Sequence, residues 1–449
     1  MNKALISLTT FALIQLLPLA SFAQMTCEKV FHIETKTSSK KVSKFTEKLA
    51  GSLRELKSWD DVYTAKTKPT WEDYQTLATL ISKLETQLTA KGQTQLPSHE
   101  IEYLKAELQA WALPYHRMAK KLSERPLAEE EINFIDRNYA FFKLQQRVNE
   151  LVGLNVFPDY YIKQVPPDTA LIEQGTQTVS NLKAAQGKLL STTGYKNPSE
   201  LRKALKNHSK AYSETLNMVD DKLVIAIHRP ENARFWIPLA GFQNQRVTGS
   251  SNGSFNPDYR NQVESQLTFQ NTETYSKQSV RYMPNYGEVR PEAGTTLFEP
   301  NTGADRYGSD LWIVKKSLYE SRASWTPRDS FGQPRVPNFE AATSWDHMFV
   351  PWTSRELMVP YAVGDKTDIR GSRFTPGVTG AKFPLKGHSY GSNYFEAQIW
   401  GPLSLNDIEA FHFKVNPPSR ELYDLLISKG IKVYDERTLP AKIYTFEAE

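Results

Sequence analysis

The chain has 449 residues, of which 39% are hydrophobic and 12% aromatic, so it can build the cores of two domains. Its 55 basic and 50 acidic residues give a formal net charge of +5, with no dense basic stripe along the chain. Nucleic-acid binding usually requires such a stripe, because phosphate neutralisation supplies most of the affinity, so we predict no nucleic-acid partner. The single cysteine, Cys27, excludes an intramolecular disulfide.

The N-terminus has the pattern of a secretory signal peptide. Lys3 precedes an apolar stretch at 4–20, and Ser21-Phe22-Ala23 supplies the small residues that a signal peptidase recognises. This stretch is short for a bilayer span, and nothing after it approaches transmembrane length. We therefore predict a signal peptide at 1–23 and export as a periplasmic or secreted protein with no membrane span after cleavage.

Helical periodicity dominates residues 24–220. Apolar residues recur every three or four positions in 70–88, 98–111 and 127–153, and weaker runs follow at 169–190 and 198–218. Such stripes are typical of helices that pack against one another. The sequence thus predicts an N-terminal helical bundle, with a helical domain at 24–220.

The composition changes near residue 220. Glycine occurs 6 times in 24–220 and 16 times in 221–449, as expected where helices give way to strands and tight turns. Short apolar or alternating runs predict strands at 222–227, 310–314, 394–400, 413–415 and 432–434, with helices at 405–411 and 420–429. We predict an α+β fold in which domain 221–449 has a mixed or antiparallel sheet with short helices and carries the site.

Polar and small-residue clusters at 248–253, 306–309 and 396–403 point to that site. With the Ile-His-Arg-Pro segment at 227–230, they resemble an uncharacterised bacterial domain family of unknown function. That family has a Thr-Gly-x-Ser-Asn-Gly loop, an acid-bearing helix, a Tyr-Gly turn, an Arg-x-Gly-Ser turn and a Glu-Ala-Gln strand. The resemblance covers roughly 222–415, and it implies a shared site without implying a chemistry.

A more distant resemblance points to a reaction. The segment Glu396-Ala397-Gln398, followed by Gly-Pro-Leu, is similar to the Glu-x-Glu strand and turn of ADP-ribosyltransferases. His228-Arg229 resembles the end of their early strand, and Ser324-Trp325-Thr326 resembles their strand with hydroxyls. The resemblance implies NAD as a substrate and a carboxylate that stabilises the oxocarbenium-like ribose as nicotinamide leaves. Gln398 stands where that family has its catalytic glutamate, so either Glu396 or Glu264 supplies the charge or the activity is absent.

The predicted site combines catalytic and substrate-binding candidates. The catalytic candidates are Glu396, Gln398, His228 and Glu264. The substrate-binding candidates are Arg229, Asn244, Thr248, Ser250, Ser251, Asn252, Gly253, Arg306, Ser309, Thr326 and Asp329. We predict that 248–253 and 396–401 lie at one cleft, because concave sites collect polar groups from distant segments.

The remaining motifs do not predict a hydrolase site or a metal site. Gly-x-Ser-x-Gly patterns at 249–253 and 387–391 match those of serine hydrolases, but neither follows an apolar strand. The eight histidines are scattered and no His-Glu-x-x-His occurs, so we predict no metal and no certain cofactor. Three functions stay open: an exported ADP-ribosyltransferase or NAD glycohydrolase, a secreted binding module for a polar small molecule or glycan, and an interaction protein whose helical half contacts a partner protein.

Overall fold

The computed structural model describes residues 42–65, 97–104, 168–192, 195–231, 233–248, 255–292, 307–327, 329–332, 336, 342, 347–359, 395–438 and 440–446. The predicted signal at 1–23, most of the apolar stripes between 70 and 153, residues 249–254 and Arg306 lie outside these residues. Before residue 168, the described elements are helix α1, Lys44–Ala65, and a helix at 98–104. The N-terminal bundle therefore stays a prediction.

The weaker periodic runs that end near residue 220 form helices. They are α2 (Asp168–Thr192), α3 (Pro198–His208) and α4 (Lys210–Asp221). The side chains of Asn197 and Ser209 cap the N-termini of α3 and α4 by accepting hydrogen bonds from backbone N–H groups. Local sequence signals thus position the starts of these two helices.

Within the described residues, a nine-stranded sheet organises the second half of the chain in the order β5-β4-β6-β2-β1-β3-β7-β8-β9. Neighbouring strands are antiparallel except β7 and β8, which run parallel. An α+β fold with a mixed sheet is thereby confirmed. The strands are β1 (Leu223–Arg229), β2 (Asn285–Pro291), β3 (Asp310–Val314), β4 (Ala323–Thr326), β5 (Val350–Pro351), β6 (Phe395–Ile399), β7 (Ile408–Phe413), β8 (Lys432–Asp435) and β9 (Lys442–Ile443).

Short helices connect these strands, as predicted for the α+β region. The predicted helix at 420–429 is confirmed and ends before Gly430, which adopts a positive φ of 72°. The helices are α5 (Ala233–Ala240), α6 (Gln245–Thr248), α7 (Pro257–Leu267), α8 (Thr272–Ser276), α9 (Tyr319–Arg322) and α10 (Arg420–Ser428). Single 3-10 turns occur at Lys316–Leu318, Ser330–Gly332, Trp352–Leu357 and Leu405–Asp407.

Three predicted local structures are wrong. The helix predicted at 405–411 is a 3-10 turn that ends at Asp407. Strand β7 spans Ile408–Phe413, so the strand predicted at 413–415 starts where the real strand ends. Hydrogen bonding of β7 to β3 and β8 on its two sides outweighs the weak local helix preference. The Tyr-Gly pair at 286–287 lies within β2 rather than in a turn. A Cβ on Gly287 would lie 2.6 Å from the Ala226 carbonyl oxygen, so glycine is needed for the close approach of β1.

The two faces of the sheet have different surroundings. One face contributes large apolar side chains to the main core, including Trp312, Trp325, Phe395 and Phe411. The alternating residues on the other face include a small apolar group, Val224, Ala226, Leu311, Ile313 and Ala410, and a set of buried polar side chains. The candidate site lies among these polar side chains.

Helix α2 packs directly against the sheet. Its Leu171, Val179 and Leu182 belong to the same hydrophobic core as the strands. A Cβ on Gly175 would lie 2.8 Å from the carbonyl oxygen of Trp400, so the helix axis approaches the end of β6 closely. The domain boundary near residue 220 stays a prediction, and in the described residues α2 to α4 share one core with the sheet.

A buried charge cluster joins α3 and α4 to the 3-10 turn Trp352–Leu357. Glu356 is 1% exposed, its Oε2 lies 3.8 Å from Arg202 Nη1, and its Oε1 has no hydrogen-bond partner among the described residues. Asp220 pairs with Arg202 and lies 3.8 Å from Arg355 Nε. Burial raises the pKa of Glu356 to about 7, and the nearby Asp220 carboxylate adds to that rise.

We expect Glu356→Gln to stabilise the protein by an amount that grows as the pH rises. The folded form binds the Glu356 proton more tightly than the unfolded form, so the wild type loses stability between the ordinary value of 4.5 and about pH 7. Thermal unfolding of the two proteins from pH 5 to 8 measures this difference. Glu214→Gln, at an exposed pair with Lys210, is the control and should change little. A pH-independent difference between Glu356→Gln and wild type would contradict the expectation.

Candidate functional site

Three adjacent strands align polar residues in two rows on the second face of the sheet. Glu396 on β6 lies between Thr326 on β4 and Glu288 on β2. Gln398 on β6 lies in the same way between Ser324 and Tyr286. Because side chains alternate along a strand, these residues point away from the main core that Phe395 and Ala397 enter.

Glu396 combines burial with one free oxygen. It is 4% exposed, and its Oε1 accepts hydrogen bonds from Ser330 N at 3.2 Å and Gln398 Nε2 at 3.0 Å. No described residue donates a hydrogen bond to its Oε2. Burial raises the pKa of Glu396 to about 8, and Asp329 adds to that rise, whereas Arg260 opposes it. The carboxyl group is therefore mostly protonated at pH 7, and Oε2 is its oxygen without a described donor.

Gln398 is held entirely by the protein. Its Oε1 accepts a hydrogen bond from Ser324 Oγ at 3.0 Å, and its Nε2 donates to Glu396 Oε1 and, at 3.4 Å, to Thr326 Oγ1. The residue is fully buried. This amide therefore orients Glu396 and the two hydroxyl side chains, and it has no exposed atom with which to contact a substrate.

Glu264, the alternative carboxylate, is also fully engaged. Its Oε2 accepts hydrogen bonds from Arg246 Nη2 at 2.7 Å and Tyr275 Oη at 2.6 Å, and its Oε1 accepts one from Tyr286 Oη at 2.6 Å. Burial raises the pKa of both tyrosines well above their ordinary value, and the Glu264 carboxylate adds to that rise, so they remain donors. Glu264 therefore ties α7 to α6, α8 and β2, which is the geometry of a structural anchor.

Both ring nitrogens of His228 have partners within the protein. Nε2 lies 2.8 Å from Glu288 Oε1, and Nδ1 lies 3.2 Å from the Gly308 carbonyl oxygen, to which it donates. Arg290 Nη1 lies 3.2 Å from the same Glu288 oxygen. His228 thus connects the end of β1 to Glu288, the cross-strand neighbour of Glu396.

Arg229 is a cation without a carboxylate partner among the described residues. Its guanidinium donates to the carbonyl oxygens of His228 at 2.8 Å and Gln243 at 3.1 Å, and to Asn285 Oδ1 at 3.1 Å. Burial lowers the pKa of Arg229 to about 10. An uncompensated positive charge of this kind favours an anionic ligand.

The remaining candidates fall into four groups. Asn244 is used by the fold, because its amide donates to the carbonyl oxygens of Val280 and Met283 and its Oδ1 accepts from Arg246 N. Thr326 and Asp329 belong to the Glu396 surroundings, whereas Thr248 ends α6 and Ser309 precedes β3. Ser250, Ser251, Asn252, Gly253 and Arg306 lie outside the described residues, so the shared cleft of 248–253 and 396–401 stays a prediction.

Sequence reasoning missed four residues of this site: Tyr286, Glu288, Arg260 and Ser330. A signal for two of them was present, since Tyr286, Glu288 and Arg290 alternate along a short segment as residues on one strand face do. Arg260 and Ser330 carry no such signal. They contact each other across 70 positions of the chain, and only the tertiary structure brings them together.

A cleft of about 270 Å³ lies on another part of the surface. It is lined by both apolar and polar side chains, among them Phe242, Asn244, Arg281, Leu403 and Lys429. Asn244 is the one predicted substrate-binding residue in this lining, and its side-chain amide is already bound by the backbone. The cleft does not include Glu396 or Gln398, so these groups belong to a different part of the domain.

No protein-family model matches the chain, and no curated protein is significantly similar to it. In the ranges that the structure describes, no group of three or more His, Cys, Asp or Glu side chains is arranged to hold a metal ion. None of the helices in those ranges is long and apolar enough to cross a membrane. The side chains around Glu396 are therefore the features of the described residues that bear on function.

Proposed function

We propose that residues 221–449 form an NAD-consuming domain of the ADP-ribosyltransferase type, in a protein that its N-terminal signal exports to the periplasm or the medium. The observation that carries this proposal is the convergence of three distant segments. Thr326 on β4 lies opposite Glu396 on β6, and Glu288, the cross-strand neighbour of Glu396 on β2, pairs with His228 at the end of β1. These are the three strands that the resemblance to ADP-ribosyltransferases involves.

Glu396 is the residue we assign as the catalytic carboxylate. Of the four catalytic candidates, Gln398, His228 and Glu264 use their polar atoms within the protein, whereas Glu396 Oε2 is free of described donors. In the reaction, the bond between ribose C1′ and the nicotinamide nitrogen breaks and its electron pair leaves with nicotinamide. Water or a target side chain then bonds to C1′ and releases a proton. The Glu396 carboxylate stabilises the positive charge that develops on the ribose.

Arg229 does not belong to the surroundings of Glu396. It alternates with His228 along β1, and its partner Asn285 lies opposite Ile399, so both side chains point to the face of the sheet that carries the main core. A guanidinium without a carboxylate partner among the described residues can bind a phosphate, but this one lies on the opposite face from Glu396. We therefore propose Glu396 for the chemical step and do not assign Arg229 to its site.

The pH dependence of NAD cleavage tests this assignment. If the Glu396 carboxylate is the active form, kcat/KM should rise about tenfold per pH unit up to about pH 8 and then level off. Nicotinamide release from NAD, measured between pH 6 and 9.5, gives this profile. A profile that is flat across pH 8 would exclude Glu396 as the group whose ionisation controls the reaction.

One observation favours a second function, a non-catalytic secreted binding module for a polar small molecule, a glycan or a partner protein. At pH 7 the Glu396 carboxyl group is mostly protonated, because burial raises its pKa to about 8, so it is a neutral hydrogen-bonding group rather than an anionic one. Calorimetric titration with NAD separates the two functions. Absence of both NAD binding and nicotinamide release would support the binding module, and glycan or protein capture would then identify its ligand.

A further inference from the structure

Arg260, on helix α7, is held rigidly beside the candidate site. Its guanidinium carbon lies 3.6 Å from the ring centre of Phe331 and 4.4 Å from that of Tyr286, so one aromatic ring belongs to the turn after β4 and the other to β2. Arg260 is 3% exposed. Both contacts restrict the side chain to one position.

The hydrogen bonds of Arg260 lead toward Glu396. Arg260 Nη1 donates to Ser330 Oγ at 3.0 Å, and the backbone N–H of Ser330 donates to Glu396 Oε1 at 3.2 Å. Arg260 Nη2 donates to Gln245 Oε1 at 3.2 Å, which anchors the other edge of the guanidinium. Asp329, beside Ser330, accepts a hydrogen bond from Phe331 N at 2.9 Å and shapes the turn. Arg260 and Glu396 are therefore two hydrogen bonds apart.

The charges around Glu396 give Arg260 a second role. The titratable groups near the Glu396 carboxyl group are Asp329 on the turn, Tyr286 and Glu288 on β2, and Arg260 and Glu264 on α7. Arg260 is the cation among the groups that shift the pKa of Glu396, and it acts against the effects of burial and of Asp329. Without it, the carboxylate form of Glu396 would have only neutral donors.

We propose that Arg260 is the positioning residue for Glu396: it fixes the turn whose backbone N–H binds Glu396, and it supplies the buried cation that favours the carboxylate form. This inference rests on the proposed function where it concerns catalysis. The effect of Arg260 on the protonation of Glu396 does not depend on NAD. A residue of α7 that lies outside the predicted site thus controls the protonation of the catalytic group.

The first test is independent of NAD. Thermal unfolding is measured from pH 5 to 10 for wild type, Glu396→Gln, Arg260→Gln and the Arg260→Gln/Glu396→Gln double variant. The melting-temperature difference caused by Glu396→Gln should continue to grow to a pH about one unit higher in the Arg260→Gln background than in the wild-type background. Equal pH dependence in the two backgrounds would overturn the proposal, whether or not the protein cleaves NAD.

The second test uses turnover. Arg260→Gln should shift the pH profile of kcat/KM upward by about one unit, so that cleavage falls about tenfold at pH 7 and recovers above pH 9. Arg260→Lys retains the charge and should keep the wild-type midpoint. This variant can still be measured if Arg260→Gln does not fold. Arg281→Gln removes another buried arginine, one paired with Asp168, and should leave the midpoint unchanged. A midpoint that shifts equally in all three variants would contradict the proposal.

Discussion

Glu396→Gln is expected to reduce NAD turnover by a few hundredfold and, at the same time, to raise the stability of the protein above pH 5. The rate loss corresponds to about 3–4 kcal/mol of transition-state stabilisation, as expected when the group that stabilises a developing charge is removed. The gain in stability arises because burial raises the pKa of Glu396 from 4.5 to about 8. The folded protein therefore binds a proton that the unfolded chain releases.

The sign of the stability effect follows from that difference. Between pH 4.5 and about 8, the wild type binds more protons when folded, so its free energy of unfolding falls by about 1.4 kcal/mol per pH unit. The glutamine variant has no such titration, and its advantage should grow over the same range. Thermal unfolding at several pH values measures it, alongside nicotinamide release at pH 8.

The matched control is Glu356→Gln. Glu356 is a second buried carboxyl group with a raised pKa, in the charge cluster near α3 and α4 and without contact to Glu396. It should show a stability change of the same sign and unchanged NAD turnover. If both variants lose turnover equally, the effect at Glu396 reflects a general change in the fold and the catalytic assignment is wrong.

Glu264→Gln is expected to have the opposite effect on stability, a loss of about 3–5 kcal/mol at pH 7. Glu264 is 1% exposed and is the carboxylate partner of Arg246 at 2.7 Å, with Arg260 Nε at 3.8 Å from its other oxygen. Breaking a buried pair by removing one charge leaves the other charge without compensation, which is strongly destabilising. Urea unfolding at pH 7 measures the loss.

Turnover distinguishes Glu264 from Glu396. Below its melting temperature, Glu264→Gln should lose no more than about tenfold in rate, because its carboxylate oxygens contact the protein rather than the substrate. Glu273→Gln, at an exposed pair with Lys277, should change stability little and serves as the control. Unchanged stability with a hundredfold loss of turnover would make Glu264 the catalytic carboxylate instead.

Local patterns predicted four of the nine described strands, β1, β3, β6 and β8, and the helix before Gly430. The apolar run at Leu223–Arg229, the alternation at Phe395–Ile399 and the helix before Gly430 carry their structure in neighbouring residues. The segment Ile408–Phe413 does not, because its strand depends on hydrogen bonds with β3 and β8, whose partner residues lie elsewhere in the chain. Prediction thus failed where a distant pairing outweighed a weak local preference.

The candidate site, like the fold, could be predicted from the sequence only in part. The sequence by itself determined that polar and apolar residues alternate along β6. Because side chains alternate along a strand, Glu396 and Gln398 share one face of it. Only the tertiary structure decided that Glu396 is buried with a raised pKa, that Glu264 is an anchor, and that Arg260 reaches the site through Ser330. Burial and pairing depend on which distant elements cover a face, and α7 and the turn at Ser330–Gly332 meet there from positions about 70 residues apart in the chain.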